Sequence, residues 1–214
     1  MSEKDTRFWD KGARKYAASP IGDEAGFERT LARTRDWLGP NARVLELGCG
    51  TGTAALRLAE TAGNYLATDI SGEMVAIAEE KLAHARNEGR AARLQIRQAE
   101  AGTLAQEETR YSAVLGFNYL HLAGGLKVTL ENIRTLLEPG GLFISKTPCI
   151  GGMNPLIRLA IPLMQLAGKA PSVTSFTAAG LTEAIRAAGF DILETEHHGT
   201  KKSDRRPFIV ARAG

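Results

Sequence analysis

The sequence predicts an α/β protein built on a doubly wound, seven-stranded, mostly parallel sheet whose last strand runs antiparallel to its neighbour. Three observations carry this. From Val44 to about Ser145, short apolar runs alternate with longer helical patterns, as in a parallel sheet covered by helices. The first of those runs opens directly into a cluster of glycines. The last two strand-like runs, 190–196 and 207–213, are joined by a short polar link, which fits a hairpin and reverses the final strand.

In chain order, two amphipathic helices are expected near 5–17 and 23–38, an N-terminal addition too short to own a core. VLEL at 44–47 is the first strand, and a helix near 52–62 follows the glycines. NYLATD at 64–69 is the second strand. Ser71 then caps a helix that runs to about Glu88 and stops at Gly89. LQIRQA at 94–99 and SAVLGF at 112–117 are the third and fourth strands. A helix near 126–137 ends at Glu138-Pro139-Gly140-Gly141, where proline forbids continuation, and LFISK at 142–146 is the fifth strand. Beyond Lys146, Asn154-Pro155 reads as a cap followed by proline at the first helical position, opening a strongly apolar helix to Ala167. Thr177 caps a helix near 178–188 that Gly189 stops. The 147–176 segment is thus a helical insertion in a single domain spanning 1–214.

The length of 214 residues suits one domain that buries roughly 70% of its surface without disulfides or structural metal. Hydrophobic content of 43% and charged content of 24% exclude disorder and low-complexity architectures. A net charge of +3 gives no argument for nucleic acid. Cys49 and Cys149 form no CxxC pair, so no metal or disulfide framework is expected. The charged N-terminus has no apolar signal core, and the uncharged stretch Leu159–Gly168 falls far short of the roughly 20 residues that span a bilayer. A cytoplasmic location is expected.

Val44-Leu45-Glu46-Leu47-Gly48-Cys49-Gly50-Thr51-Gly52 carries the chemistry. Its glycines permit a sharp turn and close approach of backbone N–H groups to a ligand, and the helix behind offers unpaired N–H groups. Asp69, about twenty residues on at the tip of the second strand, is spaced to accept hydrogen bonds from both ribose hydroxyls of an adenosine ligand. A dinucleotide loop would place its third glycine at position 53, which is Thr53. The Glu46 carboxylate would oppose a pyrophosphate and suits a cofactor bearing an ammonium or sulfonium.

With these residues in view, the chain resembles the class I S-adenosylmethionine-dependent methyltransferases, and within them the small bacterial members related to quinone-biosynthesis C-methyltransferases. VLELGCGTG is similar to the family's first motif and ATDIS at 67–71 to the second. QAEAGTL at 98–104 resembles the third, with Glu100 in place of the usual aspartate and Ala99 in place of glycine. YSAVLGFNYLHL at 111–122, LLEPGGLFISK at 136–146 and FTAAGLTEAIRAAGF at 176–190 match the later motifs. The resemblance implies a Rossmann-like methyltransferase fold, S-adenosyl-L-methionine as cofactor and no metal. It also implies roles. Glu46 meets the methionine ammonium. Gly48, Cys49 and Gly50 supply a backbone surface, and Asp69 holds the ribose. Ile70 and Met74 pack on adenine, Glu100 accepts from its amino group, and Ala101 donates a backbone N–H. Phe117 lies beneath the methyl-donating centre. Tyr16 resembles a lid tyrosine, which makes residues 1–40 a helical lid.

Each role has a plainer counterpart. The glycines could serve a tight turn alone, Met74 and Phe117 could be core, Glu100 a solvated helix-start acid and Tyr16 an anchor for its helix. Cys49 reads as a small buried side chain, with no histidine beside it to activate a nucleophile. His121 is a candidate general base, but reads first as a helix-start histidine bonded to backbone. His197 and His198, with Lys201, Lys202, Arg205 and Arg206, read as a solvated charged turn.

The helix from Pro155 to Ala167 is apolar nearly all round, so something covers it. The sheet, an acceptor pocket, a second subunit in a homodimer and a membrane surface all qualify. If it lines the pocket, the acceptor is a hydrophobic small molecule. The rival classes are a non-catalytic cofactor-binding protein and an NAD-dependent oxidoreductase.

Overall fold

The computed structural model describes residues 2–152, 161–165, 168, 170–201, 204 and 206–214. Two helices come first, α1 (Glu3–Ala18) and α2 (Glu24–Trp37). Ser2 caps α1 in a reciprocal capping box with Asp5, and Asp23 caps α2. The sheet strands are β1 (Arg43–Leu47), β2 (Asn64–Asp69), β3 (Leu94–Gln98), β4 (Tyr111–Phe117), β5 (Leu137–Lys146), β6 (Phe190–Glu196) and β7 (Phe208–Ala213). Between them lie α3 (Thr53–Leu58), α4 (Gly72–Asn87), α5 (Ala101–Leu104), α6 (Leu126–Leu136) and α7 (Ala178–Ala187).

The seven strands are ordered β3-β2-β1-β4-β5-β7-β6. β1 to β5 pair in parallel, while β7 is antiparallel to both β5 and β6, as the hairpin reading required. The sheet is buried on both faces. Val44, Tyr65, Leu115, Ile144 and Val210 pack with residues of α2, α3 and α4. Leu45, Val114, Phe143 and Ile209 pack with residues of α6 and α7. Neighbours in sequence point to opposite faces, so strands covered on both sides read as continuous apolar runs.

One boundary differs from expectation. β5 begins at Leu137, before Pro139-Gly140, because Leu137 already pairs with Tyr111. The register then shifts between Tyr111 and Ala113, and this irregularity accommodates the proline and the positive φ of Gly140 (73°). Most of the expected apolar helix 155–167 lies outside the described residues; 161–165 are helical. No helix among the described residues is long and apolar enough to cross a membrane.

The parallel strands end together at one edge of the sheet. β1 and β4 are neighbours there, but their crossovers lead to opposite sides. A cleft opens at such a reversal of strand order.

Candidate active site

A cavity of about 1000 Å³ occupies that edge. All eleven residues assigned to the cofactor from the motifs line it, from Tyr16 to Phe117, and His121 lines it too. Their roles follow from how the chain delivers them.

The loop after β1 reverses through three left-handed glycines, Gly48 (φ 68°), Gly50 (φ 54°) and Gly52 (φ 74°). At Gly48 a Cβ would stand 2.7 Å from Cδ2 of Tyr119, so the missing side chain is what lets that ring lie against the loop. At Gly50 the nearest foreign atom to a Cβ would be Cε1 of Tyr16, 3.8 Å away, which puts the α1 tyrosine over the loop although its ring is half-exposed. Gly52 precedes α3 and abuts Ala78 of α4.

Asp69 ends β2. Its Oδ2 accepts from the Gly50 N–H at 2.9 Å and its Oδ1 from the Ser71 N–H at 2.9 Å. The carboxylate thus ties the glycine loop to the start of α4, while each oxygen keeps a second lone pair for a ligand hydroxyl. Burial raises its pKa, and the N–H groups of Ser71 and Gly50 oppose the rise. Glu46 is buried within β1 and accepts from the Tyr65 hydroxyl at 2.6 Å. Burial pushes its carboxyl up to about 7, against the Tyr65 hydrogen bond and with help from the Asp69 charge. Burial likewise pushes the Cys49 thiol up, so it is not a ready thiolate. Met74 is buried with Ala13 and Ile77 where α1 meets α4, and it also faces the cavity. Glu100 sits at the N-cap position of α5.

Two histidines depart from expectation. His121 does not start a helix, and among the described residues its ring makes no backbone hydrogen bond. Its Nδ1 is buried with no hydrogen-bond partner among the described residues, and burial pushes its pKa down to about 4. Its carbonyl accepts from the Thr174 N–H at 2.7 Å. His198 is not in a solvated turn; it is 5% exposed. Its ring packs on Phe208 with centroids 4.6 Å apart. Its Nδ1 is 3.1 Å from the Thr30 hydroxyl, and its Nε2 is 2.6 Å from Oε2 of Glu196. The link from β6 to β7 folds onto α2, and Arg29 binds the His198 carbonyl.

The chain also brings residues that the motifs do not name. Asn118 takes φ 53° and donates its N–H to the Lys146 carbonyl at 2.7 Å. This turns Tyr119 back between Gly48 and Gly116. Lys146, the last residue of β5, is buried and lines the cavity. Its Nζ donates to Oγ1 of Thr30 at 3.0 Å, and Thr30 in turn donates to the Gly26 carbonyl. Lysine ending an apolar strand was the available signal. Thr30 in α2 carried none.

The set fits an adenosine-containing sulfonium cofactor. The loop is a bare backbone surface, and the side chains contributed by β1, β2 and the start of α5 are carboxylates. Residues 45–143 match the family model described as a methyltransferase domain.

The match covers just under half of the chain.

Among solved structures, the fold of the chain is similar to magnesium protoporphyrin IX methyltransferase (ChlM) from Synechocystis PCC 6803 with bound SAH (18% identity, 98% of this chain and 96% of that one, TM-score 0.70). It is also similar to the DhpI–SAH complex (22% identity, 99% and 96%, TM-score 0.71). Among curated proteins, the hybrid PKS-NRPS synthetase opdA of Penicillium oxalicum is 35% identical over 111 residues, which are 49% of this chain and 3% of the synthetase. The chain therefore spans only a small fraction of the relatives it matches. The glycine loop and Asp69 lie within the matched segment, whereas Tyr16, Thr30 and Lys146 lie outside it.

Proposed function

We propose that the protein transfers a methyl group from S-adenosyl-L-methionine to a hydrophobic small-molecule acceptor. The observation that carries this reading is the Asp69 carboxylate, locked by two backbone N–H groups at the mouth of a glycine loop beside the buried Glu46.

When bound, the cofactor supplies an activated methyl group on a sulfonium, open to in-line displacement. What the chain contributes is binding, alignment and exclusion of water. Asp69 takes hydroxyl hydrogen bonds, Glu46 faces an ammonium, and Glu100 and Ala101 take the adenine edge. Ile70 and Met74 pack against its ring, and Phe117 and Tyr119 floor the space beyond. Residues 1–40 act as a lid, since Trp9 and Tyr16 of α1 already line the cavity. The described residues of the 147–176 segment cover the acceptor end, to which they bring Pro148, Ile150, Ile161, Pro171 and Val173. Those apolar residues, with Phe27 and Leu122, support a hydrophobic acceptor body. His121 lines the cavity and is the candidate to take a proton from an acceptor, against a burial that disfavours its protonated form. The likeness to quinone-biosynthesis C-methyltransferases is carried by the motifs alone.

Calorimetric titration with S-adenosylhomocysteine, with NAD and NADP as controls, tests the reading. One saturable site for the homocysteine compound alone is expected. Binding of NAD, or of none of the three, would overturn it. Transfer of labelled methyl to a panel of hydrophobic acceptors then separates an enzyme from a cofactor-binding protein, and a preference for small, highly polar acceptors would sink the hydrophobic assignment.

A further inference from the structure

The acceptor end of the cavity holds a charge that the methyl-transfer reading leaves unused. Lys146 is 6% exposed at the end of β5 and lines the cavity. Of its three donors, one is given to Thr30. The charged groups acting on it are Arg206, Asp204, Asp23 and Arg29. Both carboxylates are already engaged elsewhere. Asp204 takes the Arg206 side chain at 2.8 and 2.7 Å and the Arg206 N–H at 3.1 Å. Asp23 takes the N–H groups of Gly26 and Thr200 and the Thr200 hydroxyl. Among the described residues, no carboxylate forms an ion pair with Lys146, and the residues outside that set contain no Asp or Glu. Burial, and then Arg206, lower the lysine's pKa, as expected of an ammonium short of a counter-charge.

Position separates this charge from the cofactor's carboxylates. Glu46 lies on β1 and Lys146 on β5, with β4 between them. At the usual strand spacing that is roughly 10 Å, and Asp69 on β2 is about 14 Å away. A buried, unpaired cation at the far end of a ligand cavity asks for an anion from the ligand. The same cavity is lined by Asp23, Lys201, Asp204 and Arg206, and by apolar Phe27, Leu122 and Ile150.

We propose that the methyl acceptor carries an acidic group, a carboxylate or a phosphonate-like oxyanion, seated on Lys146, with its apolar body against Phe27, Leu122 and Ile150. This deepens the methyl-transfer reading and rests on it. Lys146 is then a specificity residue, and Thr30 positions it.

The test uses protein saturated with S-adenosylhomocysteine, and 1-naphthoate, phenylphosphonate and the neutral 1-naphthamide as probes. Binding is followed by calorimetry. The expected result is saturable binding of an acid, with naphthoate favoured over its amide by about ten-fold, as for one charge-assisted hydrogen bond. Lys146→Met should erase that preference and Lys146→Arg should keep most of it, both with unchanged affinity for S-adenosylhomocysteine. Should Lys146→Met not fold, Lys146→Gln serves the same purpose. Three results would overturn the proposal: no saturable acid binding, an acid-to-amide ratio near one, or a preference that survives loss of the ammonium. So would loss of S-adenosylhomocysteine affinity in Lys146→Met and Lys146→Gln, which would give the lysine to the cofactor instead. Failure of wild-type protein to bind S-adenosylhomocysteine is a different outcome and refutes methyl transfer itself.

Discussion

The two halves of the cavity are built in opposite ways. The half under β1 and β2 is made of local structure: a glycine loop, a strand tip nineteen residues away that holds it, and a cap two residues further on. Its side chains are acidic. The half under β5 and the β6–β7 link is made of contacts across the whole chain. Lys146 reaches Thr30 over 116 positions, and Thr30 reaches His198 over 168. Its distinctive charge is a buried ammonium. A local, backbone-built half suits a ligand whose shape does not vary, and an assembled half can change its chemistry by substitution on separate elements.

Perturbing the halves separately should break or sharpen this contrast. The largest effect is expected at Asp69→Ala. It removes a ligand acceptor and leaves the Gly50 and Ser71 N–H groups unpaired, so affinity for S-adenosylhomocysteine should fall about 100-fold by calorimetry. Gly48→Ala adds a Cβ 2.7 Å from the Tyr119 ring at φ 68°. It should destabilise the fold by about 2 kcal/mol in urea unfolding. On the other side, Thr30→Val should lower stability by about 1 kcal/mol through loss of the hydroxyl that links Lys146 and His198. Its affinity for S-adenosylhomocysteine should not change; a parallel loss there would mean the halves are coupled.

Glu46 gives an effect that depends on pH. Its pKa is raised in the folded state from 4.5 to about 7. Its contribution to stability is therefore complete below the unfolded value and is lost as pH rises through about 7. A ligand ammonium favours the ionised carboxylate, so affinity for S-adenosylhomocysteine should rise over the same interval. Glu46→Gln should flatten both curves, measured as urea midpoints and calorimetric affinities between pH 5 and 8.

The same contrast explains what was legible in the sequence. The seven strands, the reversed last strand and the loop-to-Asp69 spacing follow from local patterns: apolar runs, glycines and caps. The early start of β5 was hidden because Leu137 pairs through tertiary contact with Tyr111, on the near side of a proline that locally argues for a break. His198 looked solvated because its neighbours in sequence are basic, yet α2 covers it. Tyr119 was hidden because what places it is an absence, the missing Cβ atoms of Gly48 and Gly116. Lys146 and Thr30 carry no shared motif; only the fold makes them neighbours.

The division of the cavity is tested most directly by one calorimetric comparison: S-adenosylhomocysteine titrated into wild-type protein, Asp69→Ala and Lys146→Met. The account predicts one site in the wild type, loss of about 100-fold in Asp69→Ala and an unchanged isotherm in Lys146→Met. Equal losses in the two variants would contradict it.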